Sequence, residues 1–181
     1  MKRIKKFIGI TLIVLLLTGI AAGCGQTDNS TPSNQDNNSS QQEEKTNITL
    51  YFSDKDALNL VAENREVAKG SKSMEQIIIE ELIAGPENPE HLRTVPAETK
   101  LLSVEVKEGT VFIDFSEEFI TKHWGGSTGE SFTVYSIVNS LTELPDLKSV
   151  QFLVNGKKIE TLAGHMDLSV PIERNEMLIK K

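Results

Sequence analysis

Few residues in this 181-residue chain are of a kind that can do chemistry, and their spacing withholds most of it. His91, His123 and His165 stand 32 and 42 residues apart, so none has the short spacing of a metal-ligand pair. They read as loop histidines, with His165 in a structural turn within Leu162–Asp167. Ser131 lies in Gly129-Glu130-Ser131-Phe132-Thr133, which lacks the second glycine of a nucleophile elbow and falls at the start of an expected helix. Asp54-Lys55-Asp56 carries too few oxygen donors for a calcium loop of EF-hand type. Asp114 and Arg65, each on an expected strand, would make an ion pair that fixes register, and no second carboxylate nearby completes an acid/base pair for hydrolysis. Cys24 is the single cysteine, which excludes an intramolecular disulfide and a multi-cysteine zinc site. These residues predict no catalytic site, no metal and no cofactor; a hydrolase would have to draw its histidines and carboxylates together from distant positions.

The most suggestive surface feature is Lys122-His123-Trp124-Gly125-Gly126-Ser127-Thr128-Gly129, which holds the only tryptophan between an expected strand end and a helix. Its glycines do not form a phosphate loop, because Gly-Lys-Ser/Thr is absent. An exposed Trp124, with His123 beside it, would stack on a sugar or anchor a protein partner. The alternative is an indole tucked against the following helix as a lid over the core. His123 and Trp124 are therefore the candidate interaction surface.

The charge pattern narrows the partners. The chain has 26 acidic and 19 basic residues, a formal charge of −7, and four of the bases (Lys2, Arg3, Lys5 and Lys6) precede the first acid, Asp28. The remainder is more acidic still, which argues against nucleic-acid binding through phosphate neutralisation. That basic start is followed by an apolar run, Phe7–Leu17, and a small-residue stretch ending at Gly23-Cys24, the three parts of an export signal. As a helix, Phe7–Ala22 would span roughly 24 Å at ~1.5 Å per residue, short of a hydrocarbon core of about 30 Å. A cleaved signal fits better than a spanning helix. Ala21-Ala22-Gly23-Cys24 resembles the lipobox of bacterial lipoproteins, with Ala21 where Leu is usual. That resemblance implies a diacylglyceryl group on the Cys24 thiol and cleavage before it, leaving the protein lipid-anchored on the extracytoplasmic face of the membrane. Two acyl chains at ~0.8 kcal/mol per buried methylene would make such an anchor effectively permanent.

The organisation expected is a signal peptide at 1–23, lipidated Cys24 with a disordered polar tether through 47, a folded domain at 48–174, and a C-terminal tail at 175–181. Gly25–Asn47 contains no large apolar residue and no alanine, so it cannot bury enough surface to offset backbone entropy. As a flexible chain it would reach about 25–30 Å.

Within the domain, Ile48, Leu50 and Phe52 alternate with polar partners as in a half-buried strand, and Leu58–Ala62 continues as a second strand toward Val67. Ser73 with Gln76 resembles a capping box, Met74, Ile77, Ile78 and Leu82 fall at helical spacing, and Gly85-Pro86 stops the helix. Pro86–Pro96 reads as a loop. Leu102–Val106 and Val111–Phe115 form a hairpin across Glu108-Gly109, a long helix starts near Ser127 or Thr128 and ends before Pro145, and Asn155-Gly156 joins Val150–Val154 to a return strand over Lys157–Leu162. Two main helices and five to six strands linked by hairpins predict one α+β domain, with the helices on one face of a mostly antiparallel sheet.

Several segments in this order resemble a GerMN domain, the module named for a sporulation and spore-germination protein. They include Leu50-Tyr51-Phe52-Ser53-Asp54, Glu63 with Arg65, Leu82-Ile83-Ala84-Gly85-Pro86, Thr94-Val95-Pro96 and Val111-Phe112-Ile113-Asp114-Phe115-Ser116. Ile137 through Pro145 and Val150 through Gly156 complete the match. The resemblance implies a fold similar to ring-building motifs, on a lipoprotein of the cell envelope, with one copy where the namesake has two. The function expected is a non-enzymatic, lipid-anchored envelope protein whose domain mediates protein–protein assembly, with envelope or sporulation proteins as partners. The alternative is a module that binds a wall or spore glycan or peptide.

Overall fold

The computed structural model describes residues 45–181, so the expected signal peptide, Cys24 and the tether up to residue 44 lie outside the described residues. The elements are β1 (Lys45–Asp54), β2 (Leu60–Ala68), α1 (Met74–Ala84), β3 (His91–Leu92), β4 (Leu101–Lys107), β5 (Thr110–Phe115), α2 (Glu118–Thr121), α3 (Ser127–Leu141), β6 (Ser149–Val154), β7 (Lys157–Lys158) and β8 (Ile172–Glu173), followed by a 3₁₀ turn at Glu176–Leu178. This is the α+β architecture the sequence predicts. Its strands divide into two sheets, β2-β1-β3 and β4-β5-β6-β7, with β8 added on β6. Every pairing is antiparallel except β5 with β6. That pair is parallel because α2 and α3 intervene and return the chain in the same direction, as a crossover requires.

One core joins the sheets and helices. It takes Leu50 and Phe52 from β1, Ile113 and Phe115 from β5, Val150 and Phe152 from β6, and Val134, Ile137, Val138 and Leu141 from α3. Helix α1 contributes Ile77, Ile78, Ile79 and Leu82, all buried, which explains a helix built on three successive β-branched residues: burial on more than one side outweighs their modest propensity. Its caps are those the sequence marks. The Ser73 hydroxyl accepts from the Gln76 N–H at 3.2 Å, although the Gln76 side chain bonds Glu80 instead of closing the box.

The structure has two sheets in place of the single sheet expected, because β1 pairs with β2 and β3 and none of these pairs with β4–β8. It departs from the sequence reading at single elements as well; β2, for one, begins at Leu60 and leaves Leu58 in the preceding loop. β1 starts at Lys45 rather than Ile48, because β2 is long enough to pair Lys45 with Ala68 and Lys45 bridges Glu66 at 2.7 Å. Residues 45–47, expected in the tether, belong to this strand. The Pro86–Pro96 loop contains β3, whose Leu92 pairs with Ser53. The segment before Trp124 is helix α2 rather than a strand end; Phe119 drives it, fully buried and stacked 4.4 Å from Phe115. The return strand after Asn155-Gly156 stops at Lys158, since the chain beyond it turns toward Glu130 on α3. Finally, the C-terminal tail is part of the domain: the Lys180 N–H donates to the Leu60 carbonyl at 2.8 Å, and Ile179 bridges Leu60. Among the described residues no helix is long and apolar enough to cross a membrane.

Candidate functional site

The loop between α2 and α3 is shaped by Gly125 and Gly126, whose φ values of 77° and 81° are unfavourable for residues with a Cβ. It delivers Trp124 to the first turn of α3. There the indole lies across Gly129, so closely that a Cβ at that position would come within 2.6 Å of Nε1. The absence of a side chain at Gly129 is what lets the ring lie flat on the helix. Trp124 still remains 51% exposed. The structure thus combines both sequence readings, an indole tucked against the helix and one open to solvent.

His123 supports it from below. The two rings stack at 4.9 Å and 23°. Nδ1 of His123 accepts from the Gly125 N–H at 3.0 Å, which leaves Nε2 as the protonated nitrogen, 3.0 Å from Thr133 Oγ1. Thr133 Oγ1 in turn donates to the Thr94 carbonyl. Burial holds the imidazole below its usual pKa, although the Gly129 backbone and the Glu130 carboxylate favour the charged form.

Trp124 lines a pocket of about 230 Å³ together with buried Phe132 and with Leu92 and Ala57. The hydroxyls of Ser53 and Thr94 and the Arg93 guanidinium are already engaged, whereas among the described residues the Thr128 hydroxyl and the Trp124 indole N–H on the lining are not. The Ser53 hydroxyl donates to the Asp54 carbonyl, the Thr94 hydroxyl meets Ser136 Oγ at 2.6 Å, and the Arg93 guanidinium bonds the carbonyls of Ile83 and Ala84 at the end of α1. Beside Ala57, Leu58 is 70% exposed on a loop clamped by Asp54, whose carboxylate accepts from the Leu58 N–H at 2.8 Å. The site is an apolar cleft with fixed walls and an aromatic rim.

Two polar clusters are structural supports that sequence reasoning did not identify. Glu130, fully buried in the first turn of α3, accepts from Thr161 Oγ1 and from the N–H groups of Leu162, Ala163 and His165 at 2.7–2.9 Å. Burial works against its charge, yet these donors lower its pKa. His165, read as a turn residue, serves here through its backbone. The second cluster is centred on Arg65, whose side chain is 4% exposed. It binds Glu63, Glu81 and the Gly85 carbonyl and lies 5.3 Å from the Phe52 ring centroid. The expected Arg65–Asp114 pair does not form: the two residues are on different sheets, and Asp114 accepts from the Gly156 N–H. Glu63 also receives the N–H groups of Glu87 and Asn88 and His91 Nδ1. Burial opposes ionisation of Glu63, but these donors push its pKa down to about 2. Ser131 sits in α3 as expected, four residues past its first residue, Ser127. Among the described residues, no three of His, Cys, Asp and Glu converge as a metal site would require.

Several known proteins resemble the chain. A family model described as Germane, sporulation and spore germination, matches residues 49–160. A curated relative, spore germination protein GerM of Bacillus subtilis (strain 168), is 31% identical over 137 residues. The match takes in 70% of this chain but 36% of the relative, so the chain spans about a third of that relative's length. Among solved structures, the tandem GerMN domains of the sporulation protein GerM from Bacillus subtilis align with a TM-score of 0.60 at 28% identity, over 72% of this chain and 45% of that one. A Clostridium perfringens protein described as a candidate lipoprotein aligns with a TM-score of 0.53 at 29% identity, over 73% and 89%.

Proposed function

The chain belongs to the Germane family of sporulation and spore germination proteins, and from that membership we propose that it is a non-enzymatic, lipid-anchored envelope protein whose GerMN domain docks on another protein through the Trp124 cleft. The observation that carries this reading is a half-exposed indole, fixed by Gly129 and His123, at the mouth of an apolar pocket. Surfaces of this kind supply the buried aromatic centre of protein interfaces. A glycan fits less well. Its hydroxyls would lose water against a wall whose Ser53, Thr94 and Arg93 groups already have partners. The anchor rests on the Ala21–Cys24 motif and agrees with the lipoprotein description of the Clostridium perfringens relative. Such an anchor would hold the domain on the extracytoplasmic face of the membrane.

Crosslinking in intact cells, followed by pull-down, tests the docking. The wild-type protein recovers a defined protein partner that Trp124→Ala loses; equal recovery by both removes the cleft from the account. Sedimentation with purified peptidoglycan separates the wall-binding alternative, in which the domain pellets. Cys24→Ser tests the anchor independently, because it releases the protein into the medium or leaves it unprocessed.

A further inference from the structure

The outer edge of β2 is open, and β1 shows which of its backbone groups face outward. Tyr51 directs its N–H to Ser140 Oγ and its carbonyl to Ser136 Oγ, away from β2. Its cross-strand neighbour Ala62 is therefore in a pair without mutual hydrogen bonds and turns its own N–H and carbonyl outward. The alternation carries the same orientation to Asn64 and Glu66. Among the described residues these groups have no hydrogen-bond partner; the edge is covered only at Leu60, by Lys180. The side chains of Ala62, Asn64 and Glu66 are exposed, the strand runs without a register shift, and no proline or bulge blunts it. An open groove of about 640 Å³ runs alongside, between β2 and α1.

We propose that β2 pairs antiparallel with β2 of a second copy of this chain, about a two-fold axis at Asn64. Lys180 and the charges along β2 select that register. Centring the pair on Ala62 or Glu63 would bring Asn64 or Glu66 against Leu60, where Lys180 already stands. Centring it on Arg65 or Glu66 would set two guanidinium groups or two carboxylates directly opposite each other. Centring it on Asn64 joins Ala62 to Glu66 on either side of the axis and sets Val61 opposite Val67, while Glu63 and Arg65 keep the partners they have within each domain. The three outward pairs make about six new backbone hydrogen bonds. The seam lies on β2 and involves neither Trp124 nor His123, so it stands or falls separately from docking at the cleft.

Disulfide trapping in the full-length, membrane-bound chain tests it. Asn64 is the one residue of the strand that meets its own copy, at a Cα separation of about 5.5 Å, inside the disulfide range of about 4.4–6.8 Å. Under mild oxidation Asn64→Cys should give a species of twice the monomer mass, several-fold above the background of the parent chain with Cys24 alone. Ala62→Cys and Glu66→Cys should each stay at background and crosslink only when co-expressed. Asn64→Cys at background, or Ala62→Cys crosslinking to itself equally well, overturns the proposal. As an independent check, differently tagged copies should co-purify, and Ala62→Pro, whose missing N–H faces outward, should abolish this with Trp124 emission unchanged. Co-purification that survives Ala62→Pro also overturns it.

Discussion

The backbone N–H of Tyr51 donates to the Ser140 hydroxyl at 2.9 Å, across 89 residues of sequence. One turn earlier on α3, Ser136 donates to the Tyr51 carbonyl. Two serines at helical spacing thus take the place of a neighbouring strand at the middle of β1, and they fix α3, and with it the floor of the Trp124 cleft, to the three-stranded sheet. Ser140 also donates to the Ser136 carbonyl, so the helix satisfies itself and the strand with the same hydroxyl.

Removing either hydroxyl leaves a buried backbone group of Tyr51 without a partner. Ser136→Ala and Ser140→Ala should each lower unfolding free energy by about 1–3 kcal/mol. Urea denaturation measures this; changes within the noise of a surface substitution would mean that water replaces the hydroxyls.

Glu130 should be more sensitive. Glu130→Ala strands three loop N–H groups and should cost about 3 kcal/mol or more, with amide exchange accelerated first in residues 161–165. Glu130→Gln keeps an acceptor for part of the loop and should cost less. Equal, small losses in both variants would show that the loop closes without the carboxylate.

Acid should weaken the domain through Glu63. Its folded pKa of about 2 lies below the ordinary 4.5, so its stabilisation is complete above the ordinary value and is lost as pH falls toward about 2. The full effect is on the order of 3 kcal/mol. Glu130, also lowered, acts in the same direction. Denaturant titrations between pH 5 and about 2 should show a steeper loss for the wild type than for Glu63→Gln. Parallel curves would remove Glu63 as the source.

Most of the element order was legible in the sequence, because alternation in β1, β4, β5 and β6 and the stop signals of α1 and α3 are local. Helix α2 was not, since a four-residue element shows no period and forms only to bury Phe119 between Phe115 and Phe152. The division into two sheets was hidden for a related reason: strand patterns do not say which strands become neighbours. At the candidate site, Trp124 and its glycines stood out by composition. Phe132, Leu92 and Ala57 did not, because they reach the cleft from three elements. Glu130 looked like an acidic residue in a first helical turn, and nothing in its neighbours announced that a loop 31 residues later would enclose it.

The single tryptophan reports directly on the cleft. Gly129→Ala places a methyl where the indole lies, so Trp124 should swing out and its emission shift to the red. The helix should lose nothing and gain up to about 1 kcal/mol in propensity. Unchanged emission would mean the ring was not resting there. Protonating His123 should act similarly, because a proton on Nδ1 removes the acceptor for the Gly125 N–H. Its folded pKa is lowered, so this loop contact and its stabilisation are intact above the ordinary value of 6.5 and are lost as pH falls through the window below it. Emission recorded against pH should therefore turn below 6.5 in the wild type and lose that step in His123→Phe.

The most direct test of docking is a photo-reactive amino acid placed at Thr128, on the rim of the cleft, in the membrane-bound protein of intact cells. The account predicts a discrete protein adduct at this position that is missing when the same probe stands at Glu105 on β4, and that disappears when Trp124→Ala is added. No adduct at Thr128, or one equally strong at Glu105 and indifferent to Trp124, would contradict it.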